Sequence, residues 1–328
     1  MKWVNRLWYG NRAFALPLVP VSWLFRTIAA GRRWAYRNGV FASHRIARPV
    51  IVVGNLTVGG SGKTPFVIWL AGQLHAAGYW PGIVSRGYGG KARHWPQQVR
   101  PDSDTAVVGD EAVLIARRTG CPMAVGPDRV TACRALLKYH DCDVIISDDG
   151  LQHYAMQRDL EIVIIDGVRR FGNRFCLPAG PLREPPSRLR AVDLAVLNGG
   201  FPRTGEILMQ LEGKTLCNLA EPTRCQSLSS LRGEQVHAIA GIGNPDRFFA
   251  RLREAGMQVE EHPFPDHHRF MAQDLVFNDN KPVVMTEKDA VKCQKFALPH
   301  HWYLPVTAQL EKGFADHLLQ LFKRKIHG

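Results

Sequence analysis

Short apolar runs of strand length recur along the chain at residues 50–53, 83–85, 123–125, 144–146, 162–165 and 194–197. Between them, residues 66–74, 111–118 and 129–139 carry apolar positions three and four apart, the period of a helix with one buried face. The strand runs are continuous rather than alternating, so both faces of the sheet must be covered. The pattern therefore predicts an α/β fold with a mostly parallel, doubly wound sheet and a ligand at the carboxyl ends of its strands. After residue 197 the composition turns to Gly, Pro, Ser and Thr, through Gly199, Gly200, Pro202, Pro222 and residues 227–230, which reads as a domain junction. The same grammar then resumes, with a strand at 236–240, a turn at 241–245, a helix to Ala255, strands near Val283 and Trp302, and a final helix from Lys312. The expected organisation is an N-terminal segment over residues 1–35, a larger domain over 36–215 and a smaller C-terminal α/β domain over 230–328 that closes a cleft.

The first strand run leads into Thr57-Val58-Gly59-Gly60-Ser61-Gly62-Lys63-Thr64, and the first helical pattern follows at once. Strand, glycine loop and helix in that order make a phosphate-binding P-loop. Glycines let backbone N–H groups close round phosphate oxygens, and the helix N-terminus adds a positive dipole end. Lys63 can neutralise β/γ charge, and Thr64 can ligate Mg²⁺. The usual pattern opens on Gly where this one has Thr57, with extra glycines at Gly59 and Gly60, so a variant loop shape is expected. The core is thus read as that of a P-loop NTPase binding a nucleoside triphosphate.

A P-loop needs an acidic residue at the end of a neighbouring strand to hold the metal. Asp148 and Asp149 end the run at 144–146, and Asp166 ends the run at 162–165. The paired carboxylates are the better candidates, because they repel one another unless a cation sits beside them, whereas Asp166-Gly167 is also a common turn. Arg86, in Ser85-Arg86-Gly87-Tyr88-Gly89-Gly90, offers a guanidinium to a phosphate or an anionic substrate. Asp110 places a carboxylate at the beginning of a helix, where it can serve as cap and dipole partner. His267 and His268 sit in a polar loop of the second domain, without the further ligands a zinc site there would want. Metal-bound phosphate beside an activated hydroxyl is the arrangement of phosphoryl transfer.

Charge adds a partner. The formal net charge is +13, and no Asp or Glu precedes Asp102, while residues 1–101 carry 14 Lys or Arg. The other 28 basic residues are balanced by all 29 acidic ones. In the N-terminal third the basic residues are mixed with Trp3, Trp8, Tyr9, Phe14, Trp23, Phe25, Trp34 and Tyr36, a mixture suited to an anionic membrane surface. The uncharged run at 13–25 is shorter than the roughly 20 residues needed to cross a bilayer and contains Pro17 and Pro20, so an interfacial anchor is expected. No signal-peptide cleavage site follows it. Seven scattered cysteines with no Cys-x-x-Cys pair indicate neither a disulfide framework nor a zinc site.

Six motifs occur in order: the P-loop from Gly54 to Pro65, Ser85-Arg86-Gly87-Tyr88-Gly89, Gly109-Asp110-Glu111, Asp148-Asp149-Gly150-Leu151-Gln152-His153, Ala179-Gly180-Pro181-Leu182-Arg183-Glu184, and Thr286-Glu287-Lys288-Asp289-Ala290-Val291-Lys292. Together they resemble the tetraacyldisaccharide 4'-kinase family of the lipid A pathway in Gram-negative bacteria. The resemblance implies Mg²⁺-dependent transfer of the γ-phosphate of ATP to the 4'-hydroxyl of an acylated glucosamine disaccharide 1-phosphate, giving lipid IVA. It implies an enzyme on the cytoplasmic face of the inner membrane, with its active site between two α/β domains.

By motif match it implies Thr57, Gly59, Gly60, Ser61, Gly62, Lys63, Thr64 and Arg86 for the nucleotide, and Thr64, Asp148 and Asp149 for the metal. Asp110 as base, supported by His267, and Asp149 are implied for catalysis. Neither nucleic acid nor an obligate protein partner is called for. Two other readings are a P-loop GTPase switch or metal-insertion chaperone, whose guanine-reading Asn-Lys-x-Asp has only the shifted string 286–289 here, and a nucleic-acid-dependent ATPase, for which no recognised module is present.

Overall fold

The computed structural model describes residues 2–327, which form two sheets. The strands are, in chain order, β1 (Val50–Gly54), β2 (Pro81–Ser85), β3 (Gln97–Val99), β4 (Met123–Val125), β5 (Val144–Asp148), β6 (Leu160–Asp166), β7 (Leu194–Asn198), β8 (Glu206–Glu212), β9 (Thr215–Asn218), β10 (Cys225–Ser227), β11 (Gln235–Ala240), β12 (Gln258–Pro263), β13 (Val283–Thr286), β14 (His301–Leu304) and β15 (Thr307–Leu310). The α-helices are α1 (Lys2–Tyr9), α2 (Val19–Arg37), α3 (Lys63–Ala76), α4 (Thr105–Val108), α5 (Asp110–Thr119), α6 (Arg129–Tyr139), α7 (Pro245–Glu254), α8 (Glu287–Cys293) and α9 (Phe314–His327). The first sheet runs β15-β8-β7-β6-β1-β5-β2-β4-β3 and the second β10-β9-β14-β13-β11-β12. Strands β8 to β4 of the first order are mutually parallel, with antiparallel β15 and β3 at the two edges.

The unbroken apolar character of β1 follows from burial on both sides. Ile51 and Val53 join the core that contains Phe66, Leu70 and Leu74 of α3, whereas Val50 and Val52 join the opposite core with Leu136 of α6 and Leu151. Each fully buried side chain of this size contributes about 1.5–3 kcal/mol, so α3 and the loop before it rest on a firm base. Both neighbours of β1, namely β5 and β6, come later in the chain, which makes the carboxyl end of β1 the switch point where a ligand crevice opens. Register puts Val53 opposite Asp148, so the acidic strand end stands directly beside the P-loop.

Two expectations need correction. The smaller domain does not run to the chain's end: β15 pairs with β8 of the first sheet, and α9 places Phe314, Leu318 and Phe322 in the core beneath α3. That return is driven by burial of an amphipathic face, which the sequence periodicity from Lys312 shows without saying where it docks. At the other end, β9 and β10, residues 215–227, already belong to the second sheet.

The prolines of the N-terminal run do not break it. Pro17 lies in a 3-10 turn (Arg12–Leu18) and Pro20 in the first turn of α2, where a missing N–H is tolerated. The continuous helical stretch Arg12–Arg37, 26 residues, is long and apolar enough by length and composition alone to cross a membrane, although the run at 13–25 is not. Part of it is tied to the body. Leu7 and Ala15 are buried with Ala179, and the Ser22 hydroxyl donates to the Cys176 carbonyl at 2.7 Å. Phe14, Trp23, Leu24, Ile28 and Trp34 face outward, each more than half exposed.

Candidate active site

The P-loop turns between β1 and α3 through two left-handed glycines, Gly59 and Gly62. At Gly62 a side chain is excluded twice over. The φ of 92° disfavours any L-residue, and a β-carbon would stand 2.4 Å from the Asn198 amide nitrogen. That amide, at the end of β7, donates to the Ser61 carbonyl at 3.0 Å, and Asn55 Nδ2 donates across the loop to the Gly59 carbonyl at 3.2 Å. Thr57 forms an isolated bridge with Leu182, and the Val58 amide donates to the Pro181 carbonyl at 2.8 Å, so the departure from an opening glycine coincides with a loop pinned to the 181–184 segment. Gly59 and Gly60 lie at the exposed tip.

Lys63, the first residue of α3, points at Asp149, Nζ to Oδ1 3.4 Å, and Arg183 Nη1 reaches both Asp149 oxygens at 3.0 and 3.1 Å. Burial would raise the Asp149 pKa, but Lys63 and Arg183 outweigh it and hold the carboxyl well below the usual range. Asp149 also sits at φ 49°, a left-handed position that turns it away from its neighbour.

Asp148 behaves in the opposite way. It is fully enclosed, accepts from the Ser85 hydroxyl at 3.0 Å on Oδ2, and leaves Oδ1 buried without a partner. Desolvation, reinforced by the charge of Glu111, pushes its pKa up to about 7 against the pull of Lys63. A buried carboxylate oxygen without a donor suits a hard divalent cation. Asp166, the alternative acid, is occupied otherwise: its Oδ1 accepts from the Val168 and Arg169 amides, both at 2.9 Å, and caps a turn.

The cleft's other wall comes from the second sheet. Asp110 begins α5 and is buried, and His267 Nδ1 lies 3.1 Å from both of its carboxylate oxygens. Gly109 makes the approach possible, because a β-carbon there would stand 2.5 Å from the Tyr88 carbonyl, on the loop whose Tyr88 ring lies 4.9 Å from the His267 ring. His267, not His268, faces Asp110; His268 is turned to Asp274, Nε2 to Oδ2 3.1 Å. His267 holds a φ of 60°, a strained conformation for a residue with a side chain. Burial alone would raise the Asp110 pKa, but the hydrogen bond from His267 and the nearby Lys288 and Lys292 bring it down to about 2. For His267 burial acts downward and the Asp110 bond overrides it, so its pKa is raised.

Several residues here carry roles that motif reading alone leaves blank. Lys288 joins Glu111 (2.9 Å) to Asp266 (3.2 Å), and Lys292 lies 2.8 Å from Asp289 and 3.7 Å from Asp110. Arg118 clasps both oxygens of Glu287 at 2.8 Å, tying α5 to α8. Arg129 is buried and donates to the Asp149 carbonyl at 3.2 Å. The only sequence signal for Lys288 and Lys292 is their place in the motif at 286–292. That string does not read guanine, because Asp289 is fully buried and accepts from the Gly241 amide at 2.8 Å and the Thr286 hydroxyl at 2.6 Å. Arg86 follows β2, is exposed, and makes no ion pair among the described residues.

The chain is similar to known proteins over nearly its whole length. A family model described as tetraacyldisaccharide-1-P 4'-kinase (LpxK) matches residues 14–323. A tetraacyldisaccharide 4'-kinase of Nitrosococcus oceani is 54% identical over 321 residues, covering 98% of this chain and 94% of its own. One from Methylobacillus flagellatus is 53% identical over 324 residues, covering 98% and 96%. The crystal structure of LpxK from Aquifex aeolicus in complex with ATP matches with a TM-score of 0.81 at 29% identity, over 95% of this chain and 99% of that one.

Proposed function

Because the chain belongs to the tetraacyldisaccharide 4'-kinase family, we propose that it moves the γ-phosphate of ATP to the 4'-hydroxyl of an acylated glucosamine disaccharide 1-phosphate, with Asp110 and His267 taking the acceptor's proton. The observation that carries this reading is the Asp110–His267 contact across the cleft, beside the P-loop and its acidic strand end. The P-loop amides, Lys63 and Thr64 hold the triphosphate, and Arg86 is free to meet its outer face or the acceptor. Thr64 and Asp148 offer oxygen ligands for Mg²⁺, with Asp149 adjacent and held in place by Lys63 and Arg183. When bound, that ion would offset the charge of the phosphate groups.

A sugar hydroxyl is a poor nucleophile at neutral pH, so the protein must remove its proton as the oxygen attacks phosphorus and ADP leaves. Asp110 alone, at about 2, is a weak acceptor. The pair is a stronger one, because His267 is raised by the same bond that lowers Asp110. The competent form has His267 neutral. Activity at saturating Mg²⁺ should therefore rise with pH through a midpoint above the ordinary histidine value of about 6.5, and His267→Gln should move that acid limb down toward the carboxylate range. A pH–rate profile of both proteins checks this, and an unshifted limb would remove His267 from the proton's path.

The N-terminal helices support membrane association. Trp23, Leu24 and Ile28 project outward near Arg26, Arg32 and Arg33, and a cavity of about 570 Å³ lined by Arg26, Arg33, Trp34, Arg37 and Glu184 opens below them. An anionic, acylated acceptor fits such a border between bilayer and cleft. Because residues such as Leu7, Ala15 and Ser22 are packed on the body, deleting the whole segment would disturb the fold. The sharper test replaces Trp23, Leu24 and Ile28 with Ser. Each side chain withdrawn from lipid removes about 1.5–3 kcal/mol, so affinity for anionic vesicles should fall by at least about tenfold, with the melting temperature unchanged. Undiminished co-sedimentation would show that these side chains do not insert.

The experiment for the activity itself is transfer of labelled γ-phosphate from ATP to tetraacyldisaccharide 1-phosphate in mixed micelles, with Lys63→Ala as the blank. Labelled lipid is the expected product. ATP hydrolysis without it would replace the kinase reading with a nucleotide switch.

A further inference from the structure

On the second sheet, three potential ligands from two adjacent strands converge. His237 of β11 and Glu260 of β12 are paired in register, and His262, two residues further along β12, shares Glu260's face. The three edges of the group are short: His237 Nδ1 to His262 Nε2 3.0 Å, His237 Nδ1 to Glu260 Oε2 3.4 Å, and His262 Nε2 to Glu260 Oε1 3.9 Å. We propose that His237, His262 and Glu260 form a site for a borderline divalent transition metal of the Zn²⁺ class, with Asp279 as the group that orients His237.

Four observations support it. In a tetrahedral site with metal–nitrogen bonds of about 2.0–2.1 Å, neighbouring ligand atoms lie about 3.3 Å apart, so the ion needs a spread of only a few tenths of an ångström between the two rings. His237 Nε2 is 3.0 Å from Asp279 Oδ1, which sets the proton on Nε2 and leaves the Nδ1 lone pair aimed at His262 and Glu260. A metal-bound histidine typically carries a carboxylate on its other nitrogen in this way. Asp279 is itself held, because Lys281 takes its other oxygen at 2.9 Å. The Phe277 ring stacks on His237 at 3.8 Å and lies 4.5 Å from the His262 ring, giving the site an apolar wall.

Two imidazoles and one carboxylate favour Zn²⁺ or Co²⁺ over Mg²⁺, which prefers oxygen ligands. Glu260 is exposed and His262 partly so, which provides an entry path and a fourth position open to water. In binding, His262 presents Nε2 unprotonated, its remaining proton lying on Nδ1, and the ion replaces the hydrogen bond between the two rings. β12 is the edge strand of its sheet and leads into the loop bearing His267, so the ion would fasten that strand to β11.

The test is a Co²⁺ titration of the full chain in excess Mg²⁺, read by the visible absorption of tetrahedral cobalt. Cys217 and Cys225 are replaced by Ser throughout, because their sulfurs lie 2.8 Å apart on β9 and β10 and would compete for the probe. One Co²⁺ per chain is expected, displaced by Zn²⁺, with a rise in melting temperature on Zn²⁺ addition. His262→Gln should abolish the signal, and Asp279→Asn should weaken binding by about 10–100-fold, both with phosphoryl transfer retained. No tetrahedral signal in the parent protein, or an equal signal in His262→Gln, would overturn the site.

Discussion

Asp110→Asn should lower turnover by about 10²–10⁴-fold while ATP binds as before. The substitution keeps the shape of the side chain and removes the charge that can accept a proton. Asp110 is buried at the start of α5, with the Glu111 amide and His267 Nδ1 both on its carboxylate, so it has no freedom to serve another role in the cleft. Its ionised state is secured by His267, Lys288 and Lys292 against burial, and because the Asn amide does not ionise, the loss cannot be recovered by working at higher pH. Lys292, 3.7 Å away, keeps Asp289 as its partner, so the fold should survive with a modest loss of stability. Steady-state kinetics with equilibrium nucleotide binding and a thermal melt check this. If ATP affinity falls in step with turnover, Asp110 belongs to the nucleotide site and the base must be sought elsewhere.

Lys63→Ala should reduce phosphate transfer to the lipid acceptor by on the order of 10³-fold, the scale of losing one preorganised charge partner at the transferring group. Lys63 is only slightly exposed and sits at the helix N-terminus, where its ammonium adds to the dipole in the phosphate-binding loop. Its removal also changes the acid pair: Asp149 keeps Arg183, whereas Asp148 loses a cation that opposes its raised pKa. The metal ligand set is thereby weakened along with the phosphate contact. Lys63→Arg should recover little, because a planar fork does not replace a compact ammonium in so tight a loop. Wild-type-like labelling of the lipid by Lys63→Ala would contradict the P-loop assignment.

What the chain states in its own order is what depends on local chemistry and period. The continuous apolar runs and the helical spacing announced a covered parallel sheet, because burial on both faces removes polar residues from a strand wherever the strand is placed. The strand–glycine–Lys63 passage and the acidic end at Asp148 and Asp149 were legible for the same reason, since each function there is built from neighbours in sequence. Hidden were strands of mixed character at or next to the sheet edges, such as β8 beside β15 and the edge strand β12, where the apolar pattern is diluted.

Sequence by itself thus determined the fold class, the phosphate loop, the acidic pair and the basic, aromatic character of the first 101 residues. Only the tertiary structure decided which of two adjacent histidines meets Asp110, that Lys288 and Lys292 stand behind that contact, that β15 and α9 return to the first sheet, and that His237, Glu260 and His262 converge. Those relations join residues far apart in sequence, 182 positions in the case of Asp110 and Lys292. Distance in sequence carries no signal for such pairs, because their energies come from burial and charge compensation that exist only once the two sheets have packed.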